Sequence, residues 1–311
     1  MAFALWNCPV VLTRTGCCKH CKPNVRDNKV NRALRFIWLS RFRSRNRSFQ
    51  KMVLGSERTL GQSFQEVVIG NGRIGSLLAQ APGMKEPIVV NRGESIPGDC
   101  YGPIYVCTRN DDLSGIVERT PISRRPDLVF IQNGMIQTFL EERNLQNNTQ
   151  ALVYFAVANK GDAPVDGGGT VVHGKWAEAF AQRVSSFGCK CSVVEDKTEF
   201  MKRMIEKLLW ICVMGPLCAT SHLNCGQVVT NSRYLRDLED LVNELQPIAE
   251  TALHVKLDDG VVPRIIEYSK KVADYRAGVK EIAWRNGWFL ERKKTPLHLS
   301  YMKNFISLDE P

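Results

Sequence analysis

"VVIGNGRIGSLLAQ", residues 67–80, runs from three β-branched apolar residues through Gly70, Gly72 and Gly75 into a helix-like segment. Its parts have separate physical jobs. Gly70 permits a tight turn at the end of a strand, Gly72 lets backbone approach a pyrophosphate, and Gly75 lets a helix pack close to the strand before it. The N–H groups at the start of that helix, with their partial positive charge, would face the phosphate. The glycines alone are weak evidence; a strand before them and a helix after them are the context that makes the pattern a dinucleotide loop. Gly70, Asn71, Gly72, Arg73, Ile74 and Gly75 are therefore candidate cofactor-binding residues.

Outward from this loop, short apolar runs alternate with helical patterns, as in βαβ units on a parallel sheet. "EVVIG" predicts a first strand, "IGSLLAQA" a short helix and "PIVVN" a second strand. "PIYVCT", "DLVFIQ", "ALVYFAVA" and "GGGTVVHG" predict four more, with "KGDAPVDGGG" (160–169) as the turn between the last two. Only "GESIPGDCYG" separates the second strand from the third. That is too short for the ~30 residues of a βαβ unit, so the sheet should lack one strand on the adenosine side. The second strand ends in "VVNRGES", placing Arg92 where an acidic residue would accept from a ribose 2′-hydroxyl. A guanidinium there suits a 2′-phosphate, which favours NADP over NAD.

Near residue 195 the pattern turns helical, with long 3.6-period segments and few strand signals. The expected organisation is an NADP-binding Rossmann-like domain at 63–195, an all-helical domain at 196–300 and a tail at 301–311. The run "LLWICVMGPLCATSHLNCGQVVTNS" (208–232) lacks charge but breaks after about ten apolar residues, so it reads as a core helix with a turn. No membrane partner is expected. The cysteines at 100, 107, 189, 191, 212, 218 and 225 are odd in number and several sit in apolar runs, which suits buried free thiols.

The formal charge of +10 is localised. Residues 1–51 hold twelve of the 42 basic residues and one of the 32 acidic ones, Asp27, leaving thirty basic against thirty-one acidic beyond them. An Arg-rich, acid-poor start is the composition of an organellar transit peptide, which places 1–62 outside the fold and the protein in an organelle, plastid ahead of mitochondrion. A basic tail that binds acidic surfaces is the alternative reading, but no nucleic-acid partner is expected. The "CCKHC" cluster at 17–21 lacks a second ligand pair at zinc-site spacing, so no metal is expected there.

The segments "VVIGNGRIG", "VVNRG", "YVCTRNDDL", "FIQNGM", "EKLLWICVMGPLCAT" and "SKKVADYRAGVKEIAWRNGWFL" occur in an order, across residues 66–290, that resembles the ketopantoate reductases among the 6-phosphogluconate-dehydrogenase-like NADP enzymes. The resemblance implies a Rossmann-type N-terminal domain, an all-α C-terminal domain and an active site between them where NADPH reduces the ketone of a small 2-oxo acid. It also implies roles. Gly70, Gly72, Gly75, Arg92, Arg109 and Asn133 would hold the cofactor, Asn133 and Ser269 the substrate, and Lys207 with Glu281 would be catalytic. An ammonium at Lys207 could protonate the alkoxide left by hydride transfer. A homodimer is a possible assembly.

The chain departs from that pattern at three positions where the family has substrate-facing asparagines: Ile211, Gly215 and Cys225. Losing such partners costs roughly 1–3 kcal/mol each, so a hydroxylated keto acid should bind poorly and a less polar one better. Arg73 replaces the small residue usual in the glycine loop and would either meet the cofactor phosphates or crowd them. Two functions remain open on these residues: an NADPH-dependent reductase, or a non-catalytic NADP-binding or scaffold protein that has lost its substrate pocket.

Overall fold

β-Branched and aromatic residues in short runs, each followed by a glycine, polar or proline break, form the strands of one sheet in the computed structural model, which describes residues 63–306. The expected transit peptide, its Cys/His cluster and the last five residues of the expected tail lie outside the described residues.

The elements are β1 (Ser63–Phe64), β2 (Val67–Ile69), α1 (Arg73–Ala79), β3 (Ile88–Val90), β4 (Cys100–Tyr101), β5 (Ile104–Val106), α2 (Leu113–Arg119), β6 (Leu128–Phe130) and α3 (Gln137–Glu142). Then come β7 (Thr149–Leu152), β8 (Phe155–Ala156), β9 (Val165–Asp166), β10 (Thr170–His173), α4 (Ala177–Ser186) and β11 (Cys191–Val193). The helical part follows as α5 (Lys197–Ser221), α6 (Cys225–Thr230), α7 (Ser232–Leu253), α8 (Val261–Lys271), α9 (Asn286–Arg292) and α10 (Pro296–Met302).

The main sheet has the order β11-β10-β7-β6-β5-β2-β3. β3, β2, β5, β6 and β7 are mutually parallel, and β10 reverses against β7. Among the described residues nothing pairs outside β3, whose Ile88 is 41% exposed, so the expected missing strand is missing at that edge. The short segment after Arg92 instead supplies β4, which pairs in parallel with β1 in a separate two-stranded sheet. Three further differences from the sequence reading are local. β11 is a strand that the pattern does not announce, "ALVYFAVA" is two strands rather than one, broken at Val153 and Tyr154, and the expected turn 160–169 contains β9, which pairs antiparallel with β8.

One face of the sheet is sealed by α2 and α3 through Leu113, Ile116, Phe139 and Leu140 against Val67, Ile69, Ile104, Val106 and Phe130. Elsewhere, a buried guanidinium fixes α4 to the sheet: Arg183 bonds Glu66, the Leu78 carbonyl at 2.6 Å and the Lys85 carbonyl at 2.9 Å. Tyr105 donates to the other Glu66 oxygen at 2.7 Å.

The helical part is built round α5, which starts on an Asp196 cap accepting from the Glu199 amide at 2.9 Å. The expected turn within the uncharged run sits at residues 222–224; the helix continues through Gly215 and Pro216 to Ser221. By length and composition α5 could cross a membrane, with mean hydropathy 1.3, but 67% of that window is buried inside the fold, as in a core helix. α7 packs against it through Leu238, Leu241, Val242, Leu245 and Ala249, a 3-and-4 spacing that keeps one face apolar. The helices also extend past 300, because Met302 in α10 is fully buried. Met135, Leu152 and Val171 from the sheet and the loop after β6 join this helical core, and residues 63–306 belong to one compact unit.

Candidate active site

Because β2, β3, β5, β6 and β7 run parallel, their C-terminal ends share one edge of the sheet. Gly70, Arg92, Arg109 and Asn133 follow four of those ends, and Val153 follows the fifth. This edge is where open α/β sheets bind ligands.

The three glycines differ in what holds them. Gly70 has φ +93°, and its amide donates to the Val90 carbonyl at 3.0 Å. A Cβ on Gly75 would lie 1.8 Å from the Gly70 carbonyl oxygen, so that position admits no side chain. A Cβ on Gly72 would meet nothing within 4 Å. Two glycines are thus required by the protein's own packing, whereas Gly72 leaves open space over exposed backbone. Asn71 is exposed and Ile74 half-buried beside it. Arg73 reaches across to the loop after β8, where its Nη1 donates to the Val157 and Ala158 carbonyls at 3.2 Å each. Arg92 is 90% exposed, with one long ion pair to Asp112 at 3.4 Å, and Arg109 is exposed at the start of the Asn110–Asp112 turn.

Lys207 lies on the α5 face turned to this edge and is 9% exposed. Its Nζ donates to the Val153 carbonyl at 2.7 Å and sits 4.7 Å from the centre of the Tyr154 ring. The break between β7 and β8 is what frees that carbonyl from strand pairing. Burial, with the nearby charge of Arg285 as a second cause, lowers the Lys207 pKa to about 7. Lys207 lines a small depression of about 10 Å³ with Asn133, Gly134, Leu152 and Ile211.

Glu281 comes close by a different route. It holds φ +45°, and its carboxylate accepts from Arg285 Nη2 at 2.5 Å and from the Asn110 amide at 3.3 Å. Asn110 in turn donates to the Asn133 carbonyl at 2.9 Å. The neighbouring Trp284 donates to Asp111 at 3.0 Å and its carbonyl accepts from the Met135 amide at 2.7 Å. The turn 281–285 is therefore the seam by which the helical part grips the sheet edge.

The structure brings Lys207 and Asn133 onto one cavity, with Glu281 joined through Asn110 behind it. Ser269 is elsewhere: fully buried, it donates to the Ile265 carbonyl at 2.8 Å and accepts from Trp210 Nε1 at 2.9 Å, and it does not line the depression. Of the three departures, only Ile211 is on the cavity wall. Gly215 packs on Gly278, where a Cβ would stand 3.2 Å from the carbonyl oxygen, and Cys225 is buried beside Cys218. Sequence reasoning missed Arg285, Tyr154 and the Val153 carbonyl. A signal for the first existed, since Arg285 is a lone charge within "IAWRNGWFL".

Residues 199–285 match the family described as ketopantoate reductase PanE/ApbA C terminal. No curated protein matches the chain by sequence. Among solved structures, a PanE/ApbA family ketopantoate reductase from Ralstonia eutropha JMP134 is 18% identical, with a TM-score of 0.57 over 77% of this chain and 97% of that one. A dimeric ketopantoate reductase from Staphylococcus aureus is 15% identical, with a TM-score of 0.59 over 78% and 97%. D-mandelate dehydrogenase, solved with NADH and anilino(oxo)acetate, is 14% identical, with a TM-score of 0.56 over 77% and 96%. The chain thus has the two-part fold of the ketopantoate reductases: a mostly parallel sheet with helices, then an all-helical part that carries the family match.

Proposed function

We propose that this protein is a nicotinamide-dependent reductase of 2-oxo acids, with NADPH preferred and Lys207 as the proton donor. The observation that carries the reading is the buried Lys207 ammonium on a cavity shared with Asn133, at the ligand-binding edge of the sheet. The glycine loop 70–75 would hold the pyrophosphate over Gly72, Arg92 the 2′-phosphate, and Arg109 and Asn133 the remainder. When bound, the cofactor supplies a hydride to the carbonyl carbon. Lys207 Nζ, with a pKa near 7, loses its proton readily to an alkoxide and regains it from water at neutral pH. The Val153 carbonyl aims the ammonium, and the Tyr154 ring shields one side of it. Glu281 orders the 281–285 turn against Asn110 and so holds the wall that carries Asn133.

The solved dehydrogenase of like fold that holds NADH makes both nicotinamide cofactors part of the test. The chain purified with NADPH or NADH should consume the cofactor with some members of a panel of 2-oxo acids, and Lys207→Met should slow that by roughly 10²–10⁴ while still binding nucleotide. No turnover with any acid, alongside normal nucleotide binding, would sink the reductase. Ile211 on the cavity wall favours a second reading, a nucleotide-binding protein without turnover, which that same outcome would support. A cleaved plastid-type presequence and a homodimer belong to the proposal too. N-terminal sequencing of the protein from cells and sedimentation of the purified chain test them.

A further inference from the structure

Between the glycine loop after β2 and Lys207 beside the end of β7 lie the ends of two strands, β5 and β6. The loops that leave them, 107–112 and 131–136, are tied together and then gripped from outside. Asn110, 2% exposed, donates from its side chain to the Asn133 carbonyl at 2.9 Å, and Gln132 Nε2 donates to the Val106 carbonyl at 2.9 Å. The grip comes from the turn 281–285. Trp284 Nε1 donates to Asp111 at 3.0 Å, Glu281 accepts from the Asn110 amide at 3.3 Å, and the Trp284 carbonyl accepts from the Met135 amide at 2.7 Å. The indole also meets the Phe139 ring edge-on at 5.8 Å, just beyond the second loop. Gly134, at φ +100°, has to be glycine for this fit, because a Cβ there would stand 2.5 Å from the Trp284 carbonyl oxygen. One turn of the helical part thus sets the spacing of two loops on the sheet edge.

Resting on the reading of this edge as a nicotinamide-nucleotide site, we propose that Asn110 and Trp284 are positioning residues for the nicotinamide ring, holding the loops 107–112 and 131–136 at the spacing that receives it. The strand order carries the assignment. A cofactor whose pyrophosphate lies over Gly72 reaches Lys207 only by passing the ends of β5 and β6, so its ring falls at these two loops. Neither side chain needs to touch the ring; each fixes the backbone around it, and a ring held loosely loses the orientation that hydride transfer requires. Among the described residues, the 281–285 turn bonds residues 110, 111 and 135 and none of 70–75. The ring end of the site is therefore assembled by the helical part, whereas the phosphate end is made by the sheet and α1 alone.

The test titrates two ligands into the full chain: NADPH, and ADP-ribose 2′-phosphate, which lacks only the nicotinamide ring. The wild type should bind NADPH more tightly. Asn110→Ala and Trp284→Phe should each weaken NADPH by roughly threefold to tenfold, one hydrogen bond's worth, and leave ADP-ribose 2′-phosphate unchanged. Asp111→Asn, which keeps an acceptor for the indole N–H, should hold NADPH as the wild type does, and Asp111→Ala should not. General damage to the fold would weaken both ligands, so the selective loss separates positioning from instability, and melting temperatures check that each variant folds. Equal loss of both ligands in the variants, or loss of neither, overturns the assignment alone, as does a wild type that binds the two ligands equally well. A wild type that binds neither overturns the nucleotide reading and this inference with it. Selective loss in a chain that reduces no 2-oxo acid leaves the ring site standing and removes the reductase.

Discussion

The sheet edge and the α5 wall face each other across one small cavity, yet they are built on opposite principles. At the edge, Asn71, Arg92 and Arg109 are exposed and weakly held, and what is fixed is backbone: the turn at Gly70 and the helix pressed on it at Gly75. On the helical side, Lys207 and Arg285 are out of water; Lys207, on the wall, is tied to a carbonyl far away in the chain, and Arg285, behind it, to a carboxylate four residues back. An edge of this kind offers binding with little stored cost. A wall of this kind stores desolvation, which is how a lysine reaches a pKa useful at neutral pH.

The most severe challenge to this contrast is Lys207→Met. Reduction should fall by roughly 10²–10⁴, the usual share of a general acid, while the variant melts higher than wild type near pH 7. The sign follows from the lowered pKa. Between about 7 and the ordinary 10.5, the unfolded chain holds a proton that the folded one has released. Wild-type stability should therefore rise with pH across that window, by up to roughly 5 kcal/mol. A flat difference between the two melting curves from pH 7 to 10 would show the lysine to be solvated. In the same picture, the reduction rate should be level below about pH 7 and fall roughly tenfold per unit above it, as protonated Lys207 is lost.

Gly75→Ala and Gly72→Ala test the edge. The first places a methyl 1.8 Å from the Gly70 carbonyl and should cost about 3 kcal/mol in denaturant titration. The second meets nothing in the protein, so stability should stay within about 0.5 kcal/mol, while nucleotide affinity drops. If Gly72→Ala leaves nucleotide affinity intact, the open space over that residue is not where the phosphates lie. Smaller still, Arg92→Ala should lower NADPH affinity by about tenfold, one charged partner's worth, with NADH binding and melting temperature unchanged. Arg73→Ala removes two bonds at the rim and should shift stability by less than about 1 kcal/mol. A rise in NADPH affinity there would identify Arg73 as a latch to be displaced, and a fall as a phosphate partner.

Much of this architecture is legible in the sequence. The order of strands and helices, the shortened sheet beyond β3 and the glycine loop all follow from patterns within ten or twenty residues, where β-branching, glycine and 3.6-residue spacing act locally. Lys207 and Asn133 are legible through resemblance to a family. The consequences of long-range packing are not. Ser269 reads as a substrate contact, but the fold places Trp210 on its hydroxyl. Gly215 and Cys225 read as lost pocket residues, but contacts with Gly278 and Cys218 account for them. Arg285 passes unremarked within "IAWRNGWFL", but the seam at Gly134 encloses it.

Most of the elements, the two-part architecture and the glycine loop are thus set by the order of residues alone, because each rests on neighbours along the chain. Which side chains lose their water is settled by the fold in three dimensions. The Val153 carbonyl meets Lys207 from 54 residues away, and the Asn110 amide meets Glu281 from 171. Desolvation and the placement of opposing charges depend on what a fold brings together, and no local spacing encodes them.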